Sequence, residues 1–190
     1  MKTHRVIRSL TFAATLLAPP GFASTQGLSL DFTAVIEETT CVMKVSGLTN
    51  AAVSGSGTQY ALVIPNIGIA ELLNVTASTE GSFKLLPSEC NNEITSLTMT
   101  LKGDTLSNTY YMLKNALTSS NAENVGLGFK PHGSDESSRF KLDGTQKVSW
   151  SQSQIADGMD LNAFFRRAAT SLTPTPGDFQ AKVIFTFTYE

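Results

Sequence analysis

The stretch Gly27-Leu28-Ser29-Leu30-Asp31-Phe32-Thr33-Ala34 places an apolar residue at every second position. Successive side chains of an extended backbone point to opposite faces, so the apolar and polar residues here occupy different faces. The apolar face carries Leu28, Leu30, Phe32 and Ala34. The pattern predicts a β-strand with one face to bury. It is either the first strand of its own domain or a strand donated to another molecule.

The residues before this strand have the features of an export signal. Residues 1–23 begin with a basic segment, continue with the apolar run 10–17 and end at a small-residue site around Ala23. The apolar run is too short to span a bilayer. We therefore expect a signal peptide over residues 1–23, cleaved after Ala23, and export of the mature chain through the periplasm.

Charge and length limit the possible partners and the number of domains. The whole chain has a net charge of −2, and three of its basic residues lie in the expected signal peptide. The mature chain then carries 11 basic and 16 acidic residues, a net charge of −5, and no basic run. This balance gives no electrostatic surface for nucleic acid or an anionic membrane. We expect an N-terminal arm, residues 24–40, and one domain, residues 41–190.

Two cysteines, Cys41 and Cys90, follow the expected signal peptide. An even number of cysteines in an exported chain indicates a disulfide. This one would close a loop of about 50 residues and stabilise the fold by roughly 4 kcal/mol. His132 is the single histidine of the mature chain and lies in the turn-rich stretch 131–138. Because a metal site would lack ligands, we predict no metal and no cofactor.

Beyond Cys41 the order of strand-forming runs and turn residues predicts an all-β domain. Short runs rich in β-branched and aromatic residues are separated by clusters of Gly, Asn, Ser, Asp and Pro, a spacing typical of a β-sandwich. Two segments, 69–74 and 162–169, have the composition for a helical turn, and we expect exposed loops at 50–58 and 131–138. The predicted strands are 60–64, 82–86, 97–101, 110–113, 125–129, 147–150, 159–165 and 179–189.

The end of the chain carries a second alternating pattern. Apolar residues occupy every second position from Phe179 to Tyr189, one residue before the terminus. Such a strand at an open sheet edge would template the pairing of any other strand. A chain with alternating strands at both ends therefore pairs them within itself or donates one.

Five features occur in an order that resembles a known family. They are the alternating arm before Cys41, Ser82-Phe83-Lys84-Leu85-Leu86 leading to Cys90, Val125-Gly126-Leu127-Gly128, Leu161-Asn162-Ala163-Phe164-Phe165 before Pro174-Thr175-Pro176-Gly177, and a closing strand with a penultimate tyrosine. Across the whole mature chain this order resembles the type 1-like fimbrial subunits (pilins) of the bacterial chaperone/usher pathway.

The resemblance implies an incomplete immunoglobulin-like β-sandwich that lacks its last strand and is completed by a donated strand. It implies a structural role in a surface fimbria that supports cell adhesion. The implied partners are other pilin subunits in a head-to-tail polymer, a periplasmic chaperone that fills the groove before assembly, and an outer-membrane usher.

By position, the resemblance also assigns roles to residues. Leu28, Leu30, Phe32 and Ala34 are the implied donor-strand residues. The implied groove and chaperone-binding residues are Val183, Phe185, Phe187, Tyr189 and Glu190, the last through its terminal carboxylate. Major pilins often place a glycine near the start of the donor strand, where this chain has Leu28. Minor and adaptor subunits tolerate an apolar residue there, so a shaft and an adaptor role both stay open.

An enzyme is not predicted. The mature chain has no Gly-x-Ser-x-Gly motif, and no triad motif surrounds His132. Asp157 and Asp160 flank Gly158, a composition typical of solvated turns. Arg166 and Arg167 are interpreted as a solvated strand end.

The alternative function is a self-contained secreted immunoglobulin-like module that binds a carbohydrate or a protein. Trp150, Tyr110 and Tyr111 could stack on a sugar, although aromatic residues are also ordinary strand formers. A two-domain tip adhesin would need a lectin domain for which the chain is too short. An adhesin at a fibre tip also needs no donor strand, whereas this sequence has a candidate for one.

Overall fold

The computed structural model describes residues 41–91 and 94–190, and the expected signal peptide and arm lie outside this part of the chain. None of the described helices has the length and apolar character needed to cross a membrane. The elements, in chain order, are β1 (Val42–Gly47), β2 (Ala52–Ser56), β3 (Gln59–Val63), α1 (Ile69–Asn74), β4 (Glu80–Ser88), β5 (Leu97–Gly103), β6 (Val125–Pro131), β7 (Val148–Ser149), α2 (Gln152–Asp157), β8 (Met159–Arg167) and β9 (Val183–Tyr189).

The strands form two sheets and a hairpin. A four-stranded sheet has the order β1-β4-β8-β6, a three-stranded sheet has the order β7-β5-β9, and β2 pairs with β3. All pairs of named strands are antiparallel. Both sheets contribute buried side chains to one hydrophobic core, including Phe83 and Leu85 from β4, Leu161 and Ala163 from β8, and Leu97, Met99 and Leu101 from β5. The predicted all-β sandwich is confirmed.

Three local predictions were wrong. Residues 162–169 belong mostly to β8, because pairing with β4 and β6 fixes an extended backbone there. Residues 50–58 contain β2, whose tight connection to β3 uses Gly57 at φ 65°. Residues 110–113 form turns and an isolated bridge rather than a strand. The helix over Ile69–Asn74 is confirmed.

Helix α2 is an element that the hydrophobic pattern does not reveal. Its six residues are too few for a helical period, but its start carries a capping box between Ser151 and Gln154. The Ser151 hydroxyl accepts from the Gln154 backbone N–H, and the Gln154 side chain accepts from the Ser151 N–H. A Ser-x-x-Gln signature of this kind marks a helix start even where the helix is short.

The outward face of the four-stranded sheet is covered by a buried aromatic ring and two cations. Phe164 lies across Gly128 on the neighbouring strand, where any β-carbon would collide with the ring. The charged groups of Lys130 and Arg166 lie 5.6 and 5.0 Å from the centre of that ring. Phe164 is fully buried as a result. Cation–π contacts of this kind gain strength when water is excluded.

These cations converge on one carboxylate, Glu80. Arg166 Nη2 donates to Glu80 Oε1 at 2.6 Å and Lys130 Nζ donates to the same oxygen at 3.1 Å. Asn162 Nδ2 donates to Glu80 Oε2 at 2.7 Å. The prediction that Arg166 is a solvated strand end is therefore wrong, since the residue is 8% exposed. From the sequence, Arg166 was interpreted as solvated because its partner, Glu80, is 86 positions away in the chain.

The same contacts set the ionisation of Glu80. Burial raises the pKa of this carboxyl, but hydrogen bonds from Asn162, Lys130 and Arg166 together outweigh burial and hold the pKa below its ordinary value. Ionised Glu80 therefore stabilises the folded state above the pKa of the unfolded chain. This contribution is lost as the pH falls through the lowered pKa.

We expect Glu80→Gln to lower the free energy of unfolding at pH 7 by about 3 kcal/mol, because it leaves buried Arg166 and Lys130 without their shared anion. Urea unfolding of the mature chain at pH 7 and pH 3 measures this. The difference between variant and wild type should be smaller at pH 3 than at pH 7, because the stabilisation by ionised Glu80 declines as the pH falls toward its lowered pKa. Glu136→Gln, at a more exposed acid, is the matched control with a smaller effect. An equal loss at both pH values would contradict the linkage.

Candidate functional site

Strand β9 carries a row of half-buried aromatic and apolar side chains. Val183, Phe185, Phe187 and Tyr189 point toward the core, while the residues between them are exposed, with Ile184 at 51%. The Phe185 ring makes edge contacts with Phe83 and Phe129 at centroid distances of 6.3 and 5.8 Å. The Phe187 ring makes the same kind of contact with Trp150 at 6.1 Å. The row thus belongs to the core but is not fully covered.

The backbone of β9 is paired on one side. Ser96 and Glu190 exchange both N–H···O bonds, at 2.8 and 3.0 Å, just before the first β5 pair. Hydrogen-bonded and non-hydrogen-bonded pairs alternate along an antiparallel ladder. The N–H and C=O groups of Val183, Phe185, Phe187 and Tyr189 therefore point away from β5. Within residues 41–91 and 94–190, no strand pairs with this edge.

Strand β1 presents a second edge with the same geometry. The Leu48 N–H donates to the Ser82 carbonyl, and the alternation turns the Met43 and Val45 backbone groups away from β4. Both side chains pack against the core and are half-buried. The Tyr60 hydroxyl, 3.4 Å from the Met43 carbonyl oxygen, approaches from the β2–β3 hairpin. The sandwich thus has two open edges, one in each sheet.

One end of the opening is closed by Tyr189 and the disulfide. The Tyr189 hydroxyl lies 3.4 Å from the Cys41 carbonyl oxygen and donates to it. Burial raises the pKa of the Tyr189 phenol, so the group stays protonated and remains a donor. Cys41 is bonded to Cys90, which confirms the predicted disulfide. This bond ties the start of β1 to the segment that follows β4.

The opposite side of the sandwich is closed by other parts of the chain. The edge of β6 is covered by Leu113, which exchanges N–H···O bonds with Leu127 at 2.8 and 3.1 Å, and by Phe140, whose N–H donates to the Phe129 carbonyl. Core residues on this side are buried, with Phe129 at 3% and Phe140 at 4% exposed. Among the described strands, half-buried core side chains and an edge without a partner strand therefore coincide at β1 and β9.

The chain terminus is anchored at the end of β9. A terminal oxygen of Glu190 accepts from the Thr95 N–H, the Ser96 N–H and the Thr95 hydroxyl at 2.7, 2.8 and 3.0 Å. The Glu190 side chain is exposed and accepts from the Ser96 hydroxyl at 3.3 Å. The carboxylate thus lies at a defined position beside the open edge.

The predicted site residues divide into two groups. Leu28, Leu30, Phe32 and Ala34 lie outside the described residues, whereas the β9 residues and Glu190 occur together at one edge. Sequence reasoning missed the open edge of β1, although Met43 and Val45 flank Lys44 shortly after Cys41. It favoured core or edge packing for Trp150 over a sugar platform, and the structure buries that ring against Phe187, where no sugar can stack on it.

Within residues 41–91 and 94–190, the polar cluster around His132 does not form a catalytic relay. Ser82 Oγ and Asn162 Oδ1 both contact Nδ1 of His132, at 3.3 and 2.7 Å. A nucleophilic relay needs its serine and its acid on different ring nitrogens. Asp160, predicted as a solvated turn residue, lies in β8 and pairs with Lys84 at 3.4 Å. In the described part of the chain, no group of three or more His, Cys, Asp or Glu residues is arranged to hold a metal.

Comparison with known proteins agrees with this architecture. The family model described as "Fimbrial protein" matches residues 30–190. An uncharacterized fimbrial-like protein of Escherichia coli strain K12, YadM, is 28% identical over 179 residues, covering 92% of each chain. The crystal structure of the P pilus rod subunit PapA superposes with a TM-score of 0.54 at 13% identity, over 85% of this chain and 100% of that one.

The PapA likeness shows a shared fold, the incomplete immunoglobulin-like sandwich, which fits the two open edges at β1 and β9. The family match covers far more than half of the sequence and includes every described strand. The predicted resemblance is confirmed, and this chain belongs to the fimbrial protein family, the subunits of surface pili.

Proposed function

We propose that this protein polymerises by donor-strand exchange, in which the arm of one subunit adds as a strand to β9 of the next. The observation that carries the proposal is the edge of β9, where outward-facing backbone groups and half-buried aromatic side chains occur on the same residues. An added strand would satisfy the backbone groups and cover the side chains together. No catalytic step is required.

The arm matches this edge in number and spacing. Its four alternating apolar residues, 28, 30, 32 and 34, equal the four inward-facing residues of β9. Every named strand pair is antiparallel, and an antiparallel arm would place Leu28 opposite Tyr189 and Ala34 opposite Val183. Full burial of Leu28, Leu30 and Phe32 contributes roughly 4–9 kcal/mol before backbone hydrogen bonds are counted.

The same geometry supports a head-to-tail polymer and the need for a chaperone and an usher. An arm at one place and an edge at another form a heterologous contact that does not close, so subunits add head to tail. Before assembly, the apolar edge of β9 would pair with any available strand. A periplasmic chaperone that covers β9 and contacts the Glu190 carboxylate would prevent this, and an outer-membrane usher would receive the subunit. The finished fibre would support adhesion at the cell surface.

We expect a form that lacks residues 24–36 to melt about 10 °C higher with a saturating synthetic peptide of those residues than without it, because the peptide binds the folded state alone. Differential scanning calorimetry measures the shift. Peptides with Phe32→Asp and Thr33→Asp are matched controls, since adjacent positions face opposite sides of a strand. The first should lose the effect and the second should keep it.

The truncated form is also informative if it is equally stable alone and unaffected by every peptide. The sandwich would then be complete in itself, and the alternative of a self-contained binding module would replace the fimbrial polymer mechanism. Equal effects of the Phe32→Asp and Thr33→Asp peptides would contradict the proposal that Phe32 faces the core and Thr33 faces outward.

A cysteine cross-link tests the register in the assembled fibre. In the proposed register Thr33 lies opposite Ile184, at a non-hydrogen-bonded pair, where β-carbons come closest. We expect mild oxidation of fibres with Thr33→Cys and Ile184→Cys to give a covalent ladder on a non-reducing gel. Ser29→Cys with Ile184→Cys is the control, because four positions along a strand exceed disulfide reach. A ladder in the control alone would overturn the antiparallel register.

A further inference from the structure

A cluster of lysines lies at the Val183 end of β9, on the outward face of the three-stranded sheet. Lys102, Lys114 and Lys182 line an open cleft of about 580 Å³ together with Gly103, Asp104, Ala116 and Ile184. All three lysines are exposed. Lys114 pairs with Asp104 at 2.8 Å, whereas no acid of the described residues pairs with Lys102 or Lys182. The cleft thus carries a net positive charge on a protein that is acidic as a whole.

The cleft lies beside the open edge of β9 and does not block it. The Ala116 N–H donates to the Gln180 carbonyl, and the Asn115 side chain accepts from the Gln180 N–H. Both contacts are made by the backbone groups of Gln180. These groups lie on the side of the chain that, further along in β9, faces β5. The free side of residues 181–183 therefore remains open to an incoming strand. Lys182 directly precedes Val183, the first residue of β9.

We propose that this cleft binds Glu37 of the incoming subunit, so that an ionic contact holds the end of the donated arm and fixes its direction. The proposal rests on donor-strand exchange as proposed above. With Ala34 opposite Val183, the arm continues past Lys182, and Glu37 follows three residues later. Residues 29, 31, 33, 35 and 37 face outward in this register, so Glu37 shares the face of Lys182.

A slip of the arm toward the cleft preserves the pairing. A slip by one residue would expose the apolar row, so permitted slips are by two residues. A slip of two toward the cleft places Glu37 directly opposite Lys182, and the unslipped register leaves it at the diagonal position. Both positions lie within reach of a lysine side chain.

The contact also distinguishes the two directions of the arm. In an antiparallel arm Glu37 lies at the Val183 end, next to the lysines. In a parallel arm it would lie beyond Tyr189, where Thr95 and Ser96 already hold the chain terminus. The lysine cleft therefore favours the antiparallel direction through charge as well as through backbone pairing.

The test measures the dissociation rate of fibres built from the mature chain that carries Glu37→Lys, Lys182→Glu or both. We expect each single reversal to speed dissociation about five- to tenfold and the double variant to return to within about twofold of wild type. The effects should vanish in 1 M salt. If both single variants fail to assemble and the double variant assembles, this result also supports the ionic contact between Glu37 and Lys182.

Two matched controls separate this contact from general charge effects. Glu38→Lys changes the adjacent acid, which would face the other side of the arm in the proposed register, and Lys147→Glu changes an exposed lysine outside the cleft. Neither should change the rate by more than about twofold. Equal effects at Glu37 and Glu38, or no recovery in the double variant, would overturn the proposal.

The failure of this inference differs from the failure of the polymerisation mechanism. Phe32→Asp in the same mature chain tests the mechanism itself. Fibres that require Phe32 but ignore both charge reversals would overturn the ionic contact alone. Fibres that assemble and dissociate unchanged with Phe32→Asp would overturn donor-strand exchange and the ionic contact with it.

Discussion

Strand β9 has a hydrogen-bonding neighbour on one side, and this constraint governs the rest of the molecule. Its backbone pairs with β5, while its aromatic residues must still contribute to the core between the sheets. Phe185 and Phe187 reach Phe83, Phe129 and Trp150, so they cannot be replaced by polar residues without loss of packing. The strand is thus apolar because the core needs it and open because no described strand covers it.

The rest of the structure keeps this opening in one place. The opposite side is sealed by Leu113 and Phe140 against β6, and the Cys41–Cys90 disulfide and Tyr189 close one end. The outward face of the four-stranded sheet is held by Glu80, whose two cationic partners also cover Phe164. A sandwich with a defined gap therefore needs strong contacts elsewhere, because the gap removes part of the hydrophobic contribution to folding.

Much of this could be predicted from alternation and turn composition. The strands that correspond to β4, β5, β6 and β8 were found because their apolar residues recur at a period of two between turn residues. The helical prediction for residues 162–169 failed because the partner strands, not the local composition, decide the conformation of Asn162 to Arg167. Similarly, Arg166 appeared solvated because its partner Glu80 is remote in sequence and becomes a neighbour through strand pairing.

The sequence by itself determined the all-β class, the disulfide and the alternating strand that precedes the C-terminus, since each depends on residues close together or on residue type alone. Only the tertiary structure decided which edges stay open, that Tyr189 of β9 bonds to Cys41 just before β1, and that three lysines from separate segments meet at one end of β9. The physical reason is that alternation records which face of a strand is buried, whereas the choice of neighbour depends on backbone pairing between residues far apart in the chain.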